Sequence, residues 1–411
     1  MEVKRVGDWD YEMILNLCQN EETPFYIIDL DRIENNHKRL VKNLSSIDRV
    51  DYAIKSNSNT DILKRLKESN QEVNLECSSI PEVKKSMKVG FSPDELHCSL
   101  VNPPDRAIEG AVKISEYNKE FTVTAGAIDT LKRLREAGFR GKVLFRLRVG
   151  LHGPSSLVSE GASLKFGISR ENIIDAYNIV KKSEFDFEGL HAHAGSCILS
   201  KEEIDNYLDM IKYVFKVSKD IPGEVSIIDI GGGIGVPYKE DISPIDLDYL
   251  DSKISEVSDD DFEGNLIIEP GRYISADSSL ILSKVNTIKE FPNQNSSFVG
   301  IDCGLNEMIR PAMFGSYHPI GNISNPEAEP KNQTIAGPTC SKADIMCSNR
   351  KLPMMKRDDI IAIGNAGAYG EVLSNNFHSL PKVKTIVVEG NKTRTSVKRQ
   401  SIDELFRREG L

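Results

Sequence analysis

Lys55 closes a short apolar run, Tyr52-Ala53-Ile54. Most lysines are solvated surface charges. An amine withdrawn from water at a strand end instead gives up its proton more readily and attacks carbonyl carbon. Far along the chain, Ile230-Gly231-Gly232-Gly233-Ile234-Gly235 follows another apolar run. Such a stretch often marks only a tight turn, yet after a strand it also exposes backbone N–H groups that can cradle a phosphate. Arg272, in Glu269-Pro270-Gly271-Arg272, offers a planar cationic fork for the same anion. Glu269 ends an apolar strand, and a buried carboxylate needs a cationic partner. Arg272 could serve as a structural partner, and so could a protonated pyridine nitrogen. In His191-Ala192-His193-Ala194-Gly195-Ser196, alternation puts both imidazoles on one strand face, as core groups or facing a barrel mouth. The Ser196 hydroxyl sits within reach of a phosphate there.

These residues need a frame. The run Phe25–Ile28 reads as a strand, followed by a helix over Asp31–Val41 with Ile33, Leu40 and Val41 as buried candidates. A rhythm of β-type runs then begins near Asp51, Val73, Glu95, Phe121, Val143, Phe187, Val225 and Asn265. Helical stretches such as Asp61–Ser69, Pro81–Val89, Ile128–Ala137, Arg170–Lys181 and Lys201–Ser218 fall between them. Strands alternating with helices predict an α/β parallel sheet, and this count predicts a closed (β/α)8 TIM-type barrel. An open doubly wound sheet would put a glycine-rich loop after its first strand, where this chain has Ala53-Ile54-Lys55-Ser56-Asn57. Barrel chemistry sits at the C-terminal strand ends, and Lys55, His193, Gly231–Gly233 and Glu269–Arg272 all fall there. Beyond residue 276 the texture turns β-rich, which predicts a mostly antiparallel C-terminal domain. The expected division is a barrel over residues 30–275 and a β-domain from 1–29 and 276–411, with the early strand joining the second.

Bulk properties exclude several classes. Among 411 residues, 52 basic and 62 acidic side chains leave a net charge of −10, which disfavours a nucleic-acid surface. No apolar run is long enough for a transmembrane helix, and the N-terminus lacks a secretory pattern. Cys18, Cys77, Cys98, Cys197, Cys303, Cys340 and Cys347 are odd in number and scattered, as expected of a reduced cytoplasmic protein. No metal site is expected, since only His191 and His193 lie close together in the sequence. The charged stretch 258–264 reads as a solvated loop.

Taken in order, Tyr52–Asn57, Lys165-Phe166-Gly167, His193–Ser196, Gly231–Gly233, Glu269–Arg272, Gly337-Pro338-Thr339-Cys340 and Gly367-Ala368-Tyr369 form a specific set. The chain resembles the alanine-racemase-fold (fold type III) decarboxylases that use pyridoxal 5'-phosphate (PLP), from about Pro24 to Val388. Asp302-Cys303-Gly304 and Arg310–Phe314 with Tyr317-His318 bring it nearest the diaminopimelate decarboxylase branch. The resemblance implies that Lys55 carries the cofactor covalently and that His193 stacks on its ring. It assigns the phosphate to Ser196, Gly231, Gly232, Gly233, Arg272 and Tyr369, and the ring nitrogen to Glu269. It further implies a homodimer with shared active sites, in which Cys340 comes from the partner subunit as proton donor. Substrate contacts would be Arg272, Arg310, Phe314, Ser341 and Tyr369, and the branch reaction converts meso-diaminopimelate to L-lysine.

The departures bear on substrate. The branch carries Cys-Glu-Ser-x-Asp where this chain has Cys340-Ser341-Lys342-Ala343-Asp344, and that Glu grips a distal ammonium. Phe314 replaces a Tyr near the distal carboxylate, whereas Arg310, which grips it, is kept. Asn375-Asn376-Phe377 replaces a Tyr-Asn pair, and Glu76 replaces an Asp near the lysine. Glu307 or Glu371 could rebuild the ammonium site. The readings are then a decarboxylase for diaminopimelate or a related acid, a decarboxylase of a specialised pathway, a racemase of the same barrel class, a non-catalytic PLP-binding homologue, or an unrelated phosphate-binding barrel.

Overall fold

The computed structural model describes residues 6–69, 72–149, 165–258, 262–291, 293 and 296–410. Of the charged loop 258–264, residues 259–261 lie outside the described residues. The chain divides into two compact units, one of Glu34–Val236 and Ser243–Ile274, the other of Met1–Ile33, Pro237–Ile242 and Ser275–Leu411. Pro237–Ile242 lies within the stretch that sequence reading gives to the barrel, yet it packs with the β-rich unit.

The first strand, β1 (Phe25–Asp29), belongs to the β-rich unit and is followed by a helix over Leu30–Asn43. In that helix Ile33 and Leu40 are fully buried, but Val41 is 40% exposed. The expectation for Val41 is thus corrected: one residue beyond Leu40 is about 100° further round a helix, off the apolar stripe.

The larger unit is a closed parallel barrel of β2 (Arg49–Ala53), β3 (Asn74–Cys77), β4 (Leu96–Leu100), β5 (Thr122–Ala125), β6 (Lys142–Arg146), β7 (Asp186–His191), β8 (Ile227–Asp229) and β9 (Asn265–Ile268). Parallel pairing of Arg49 with Ile267 and Val50 with Ile268 closes the ring. Helices cover the strands outside and side chains fill the barrel within, so every residue of β3 and β4 is buried, the polar Asn74, Glu76, His97 and Ser99 among them. The helices start where side chains can cap them. Ser200 and Glu203 form a capping box that begins the helix Lys201–Ser218 directly after the His193–Ser196 turn. Two expected strand ends shift: β2 stops at Ala53, leaving Lys55 in the turn beyond, and β7 stops at His191, leaving His193 past the sheet. His191 and His193 are therefore not two residues of one strand face.

In the other unit β10 (Ser279–Phe291) is the spine. It pairs antiparallel with β1, β11 (Ser296–Ile301) and β15 (Ile360–Ile363) at successive positions. With β12 (Ile320–Asn322), β13 (Pro330–Ala336), β14 (Ile345–Pro353), β16 (Lys384–Glu389) and β17 (Lys392–Val397) they make a nine-stranded sheet. It is mostly antiparallel, with parallel pairs at β1–β16 and β11–β13. Alternation along β1 explains its position. Phe25 and Ile27 enter one core with Leu280, Leu282 and Ile386, while Tyr26 enters the other with Ile281 and Val299. The first core is closed by a helix, Tyr11–Asn20, that sequence reading missed; Asp10 caps it and Ile14 is its buried residue. Among the described residues, no helix is long and apolar enough to cross a membrane.

Candidate active site

In the barrel unit, the turn after β2 is locked by its own polar groups. Ser56 Oγ donates to Ala53 O (2.9 Å), and Tyr52 Oη donates to Asn57 O (2.9 Å). The turn projects Lys55, whose Nζ donates to Glu76 Oε2 at 2.7 Å. Glu76 is fully buried on β3, while the Lys55 side chain keeps 38% exposure. A fixed carboxylate thus aims a reachable amine.

After β8 the chain comes so close to its neighbours that side chains are excluded. Gly231 has φ +70°, and a Cβ on it would lie 2.5 Å from Ala192 O. A Cβ on Gly232 would lie 2.2 Å from Glu269 O, which is backbone and cannot swing aside. Gly232→Ala is therefore expected to lower stability by about 1–3 kcal/mol, as overpacking does; a thermal melt matching the native protein would show slack in this loop. Ile198 N donates to Gly233 O (2.9 Å) and Gly235 N to Ile198 O (3.0 Å), which pins the His193–Ser196 turn beside the glycines. On that turn Ser196 Oγ receives Arg272 Nε (3.2 Å) and Nη2 (3.0 Å). A hydroxyl and a guanidinium gathered beside this close-packed glycine turn suit a phosphate.

Glu269 is 4% exposed. His191 Nε2 donates to its Oε2 at 3.3 Å, and its Oε1 makes no hydrogen bond. Burial alone would push this carboxyl up. The contact with His191, then Lys55 and His97, overcomes that and holds it well below the usual carboxylate range. Asp229 bears the opposite load: burial and the Glu269 charge raise it well above its ordinary value, although its Oδ1 accepts from Gly231 N at 2.8 Å. The two carboxyls are thus driven apart, Glu269 toward its ionised form and Asp229 toward its protonated form. His193 is half-buried and its Nδ1 accepts from Gly232 N (3.3 Å). Burial, with the charges of Lys55 and Arg146, pushes it down to about 3, so the ring is neutral.

The sequence reading groups only His191 with His193, but the fold brings His97 to 6.2 Å from His191 between ring centroids. His97, Asp229 and Glu269 have ligand atoms within 4.8 Å of one another. His97 is bonded to Thr124 Oγ1, and its Nδ1 lies 3.6 Å from both Asp229 Oδ2 and Glu269 Oε1, so the three form a buried polar cluster on the inner faces of the strands. His97 and Asp229 lie on β4 and β8, where period-two alternation could have flagged them as inward-facing.

The β-rich unit holds the remaining candidates. Cys340 is exposed, on a loop organised by Asp344. The Asp344 carboxylate accepts from Leu305 N (2.7 Å), Thr339 N (2.9 Å) and Thr339 Oγ1 (2.7 Å). Ser341 Oγ accepts from Ala343 N (3.2 Å) in the same loop. Arg310 and Phe314 sit at the two ends of one short helix, Arg310 5% exposed and Phe314 47% exposed. Arg310 Nη1 donates to Tyr238 Oη and His318 Nε2, both at 3.0 Å. His318 Nδ1 faces Gly364 O at 2.9 Å. A carbonyl only accepts, so Nδ1 carries the proton and Nε2 is free to accept from Arg310. Tyr369 is half-buried with φ +58°. Tyr238 and His318 were missed as partners of Arg310; neither carries a local signal, because each meets it only in the fold.

The barrel unit meets the demands of an aldehyde-bearing pyridinium phosphate. It has a reachable amine, an anion cradle, a neutral imidazole and a buried carboxylate with one oxygen lacking a hydrogen bond. A family model described as "Pyridoxal-dependent decarboxylase, pyridoxal binding domain" matches residues 30–276. The diaminopimelate decarboxylase of Methanothermobacter thermautotrophicus is 31% identical over 96% of this chain and 93% of its own. That of Buchnera aphidicola subsp. Acyrthosiphon pisum is 31% identical over 96% and 95%. Among solved structures, diaminopimelate decarboxylase from Helicobacter pylori complexed with L-lysine superposes with a TM-score of 0.86 at 28% identity, covering 98% of this chain and 100% of that one.

Proposed function

The chain belongs to the pyridoxal-dependent decarboxylases, and from that premise we propose that it removes the α-carboxyl group of an amino acid whose far end bears a second acid or an acyl group. The observation that carries this substrate class is Arg310, buried with no carboxylate in salt-bridge reach among the described residues. A buried guanidinium without a counter-ion is costly, and an incoming carboxylate can meet it bidentately.

PLP, when bound, supplies an electron sink for the pair left behind as carbon dioxide departs. The protein's own groups do the rest. Lys55 is the attachment point, kept oriented by Glu76. Gly231, Gly232, Gly233, Ser196 and Arg272 hold the phosphate, with Tyr369 assigned there by resemblance. The ionised Glu269 carboxylate holds a proton on the ring nitrogen, and neutral His193 offers a flat apolar face. Cys340 gives the α-carbon its proton. Resemblance implies that it does so across a homodimer with shared active sites, and the exposed Phe377 ring, packed on the imidazole that Cys340 meets, supports cover of that spot by a second copy. Unpaired thiols throughout fit the cytoplasm.

Meso-diaminopimelate, whose far end carries such an acid, belongs to this class, and it also requires a new counter-ion for its distal ammonium. Glu307 is poorly suited: it is 5% exposed, its Oε2 is occupied by Gly304 N (2.9 Å), and burial pushes it up to about 7. Glu371 remains. A hydrogen bond to a charged group is worth about 1.5–3 kcal/mol, so loss of the anionic partner costs roughly ten- to a hundredfold in specificity. Ser341→Glu is expected to raise kcat/KM for meso-diaminopimelate by about that factor. Efficient native turnover of diaminopimelate, with no gain in Ser341→Glu, would make it the substrate outright. A panel of amino acids assayed for carbon dioxide release then identifies the preferred one.

A further inference from the structure

Cys340 Sγ lies 3.2 Å from Nε2 of His378. At that separation a proton can pass between thiol and imidazole: Sγ–H and Nε2 become thiolate and imidazolium, and the reverse transfer restores both. Separate sets of contacts hold the two partners. The Cys340 loop is tied down by Asp344 through Thr339 N and Oγ1. On the other side His378 and Ser379 have φ +60° and +56°, the left-handed region that residues with a side chain avoid. Such strain persists only where the surroundings impose it. Here Asn306 Nδ2 donates to Phe377 O (2.7 Å) and Asn375 O (3.3 Å), and Asn376 Nδ2 donates to Gln400 Oε1 (2.7 Å). The Phe377 ring rests on the imidazole at 4.2 Å between centroids.

We propose that His378 acts through Cys340 as the relay that keeps its sulfur supplied with a proton for the α-carbon. This rests on the reading of Cys340 as proton donor in a decarboxylase. As carbon dioxide leaves, the electron pair at the α-carbon takes the proton from Sγ; the S–H bond breaks as the C–H bond forms. For this the pair enters the step as thiol and imidazolium, Nε2 having been protonated from bulk solvent; the thiolate then takes the Nε2 proton, and a hydronium ion from solvent restores the imidazolium, releasing water. Ionisable groups on the elements around the pair are Lys342 and Asp344 on the Cys340 loop, Glu307 on the turn carrying Asn306, and Glu371 on the turn before Asn375.

The test uses iodoacetamide on the holoenzyme, with labelling at Cys340 read by peptide mass. Cys77, Cys98, Cys303 and Cys347 are buried and do not compete. Asn tolerates the left-handed backbone, so His378→Asn removes the proton carrier while keeping the turn; His378→Gly removes the side chain and the strain together. Both variants are expected to alkylate about tenfold more slowly than native at about pH 6.5, and at the native rate at about pH 9.5, where the thiolate forms unaided. Their kcat should fall, with a shifted pH profile and an unchanged KM. Equal alkylation of native and His378→Asn at both pH values would overturn the relay. The alkylation needs neither substrate nor turnover. A His378-dependent rate in a protein that releases no carbon dioxide from any amino acid would instead overturn the decarboxylase role.

Discussion

Lys55→Ala is expected to lose turnover entirely, and borohydride reduction of the native holoenzyme should leave its label on Lys55 and on no other lysine. The geometry explains why this one amine suffices. It leaves the turn after β2 where Tyr52, Ala53 and Ser56 fix the backbone, and Glu76 Oε2 holds it at 2.7 Å. No other lysine among the described residues shares a buried carboxylate and a barrel rim with the glycine cradle. The variant should still take up the cofactor without a covalent link, because Gly231–Gly233, Arg272 and Glu269 are untouched. It should also melt earlier, since Glu76 is fully buried and loses its cation. Visible absorbance, the reduced-peptide map and carbon dioxide release together decide the matter. A reduced label elsewhere, or residual turnover in pure Lys55→Ala, would remove Lys55 from the chemistry.

How much of this was legible in the sequence depended on range. The barrel strands were legible because short β-type runs alternate with amphipathic helices at a regular spacing, a purely local pattern. Lys55, His193, the glycines and Glu269 followed, since strand ends collect at one rim of any such barrel. What escaped depends on pairs distant in the chain. His97 and Asp229 are separated by more than a hundred residues and meet only because β4 and β8 both face the barrel interior. Tyr238 leaves the barrel stretch to meet Arg310 and His318 in the other unit's fold. Cys340 and His378 meet through two loops, one held by Asp344 and the other by Asn306. Val41 failed for a smaller reason: it is apolar but one position round the helix from Leu40. Substrate choice was legible only as a departure, Ser341 for Glu, and its weight came from Arg310, buried with no carboxylate in salt-bridge reach among the described residues.

Mixing two inactive proteins, Lys55→Ala and Cys340→Ala, is expected to restore activity. Cys340 lies on the exposed face of the β-rich unit, beside Phe377 at 46% exposure. Large apolar groups left open in this way ask for cover, and a second copy related by a twofold axis provides it with the same surface. If each site takes Lys55 from one subunit and Cys340 from the other, a hybrid dimer concentrates both defects in one site and leaves the other intact. Random exchange of equal amounts makes half the dimers hybrid, so about a quarter of native activity should return. The rise should follow the rate of subunit exchange and be absent when either variant is incubated alone. Exchange confirmed by mass-tagged subunits with no recovery would mean that each site is built within one chain. Recovery would also separate the two roles chemically, because neither parent could have supplied both the amine and the thiol to one substrate.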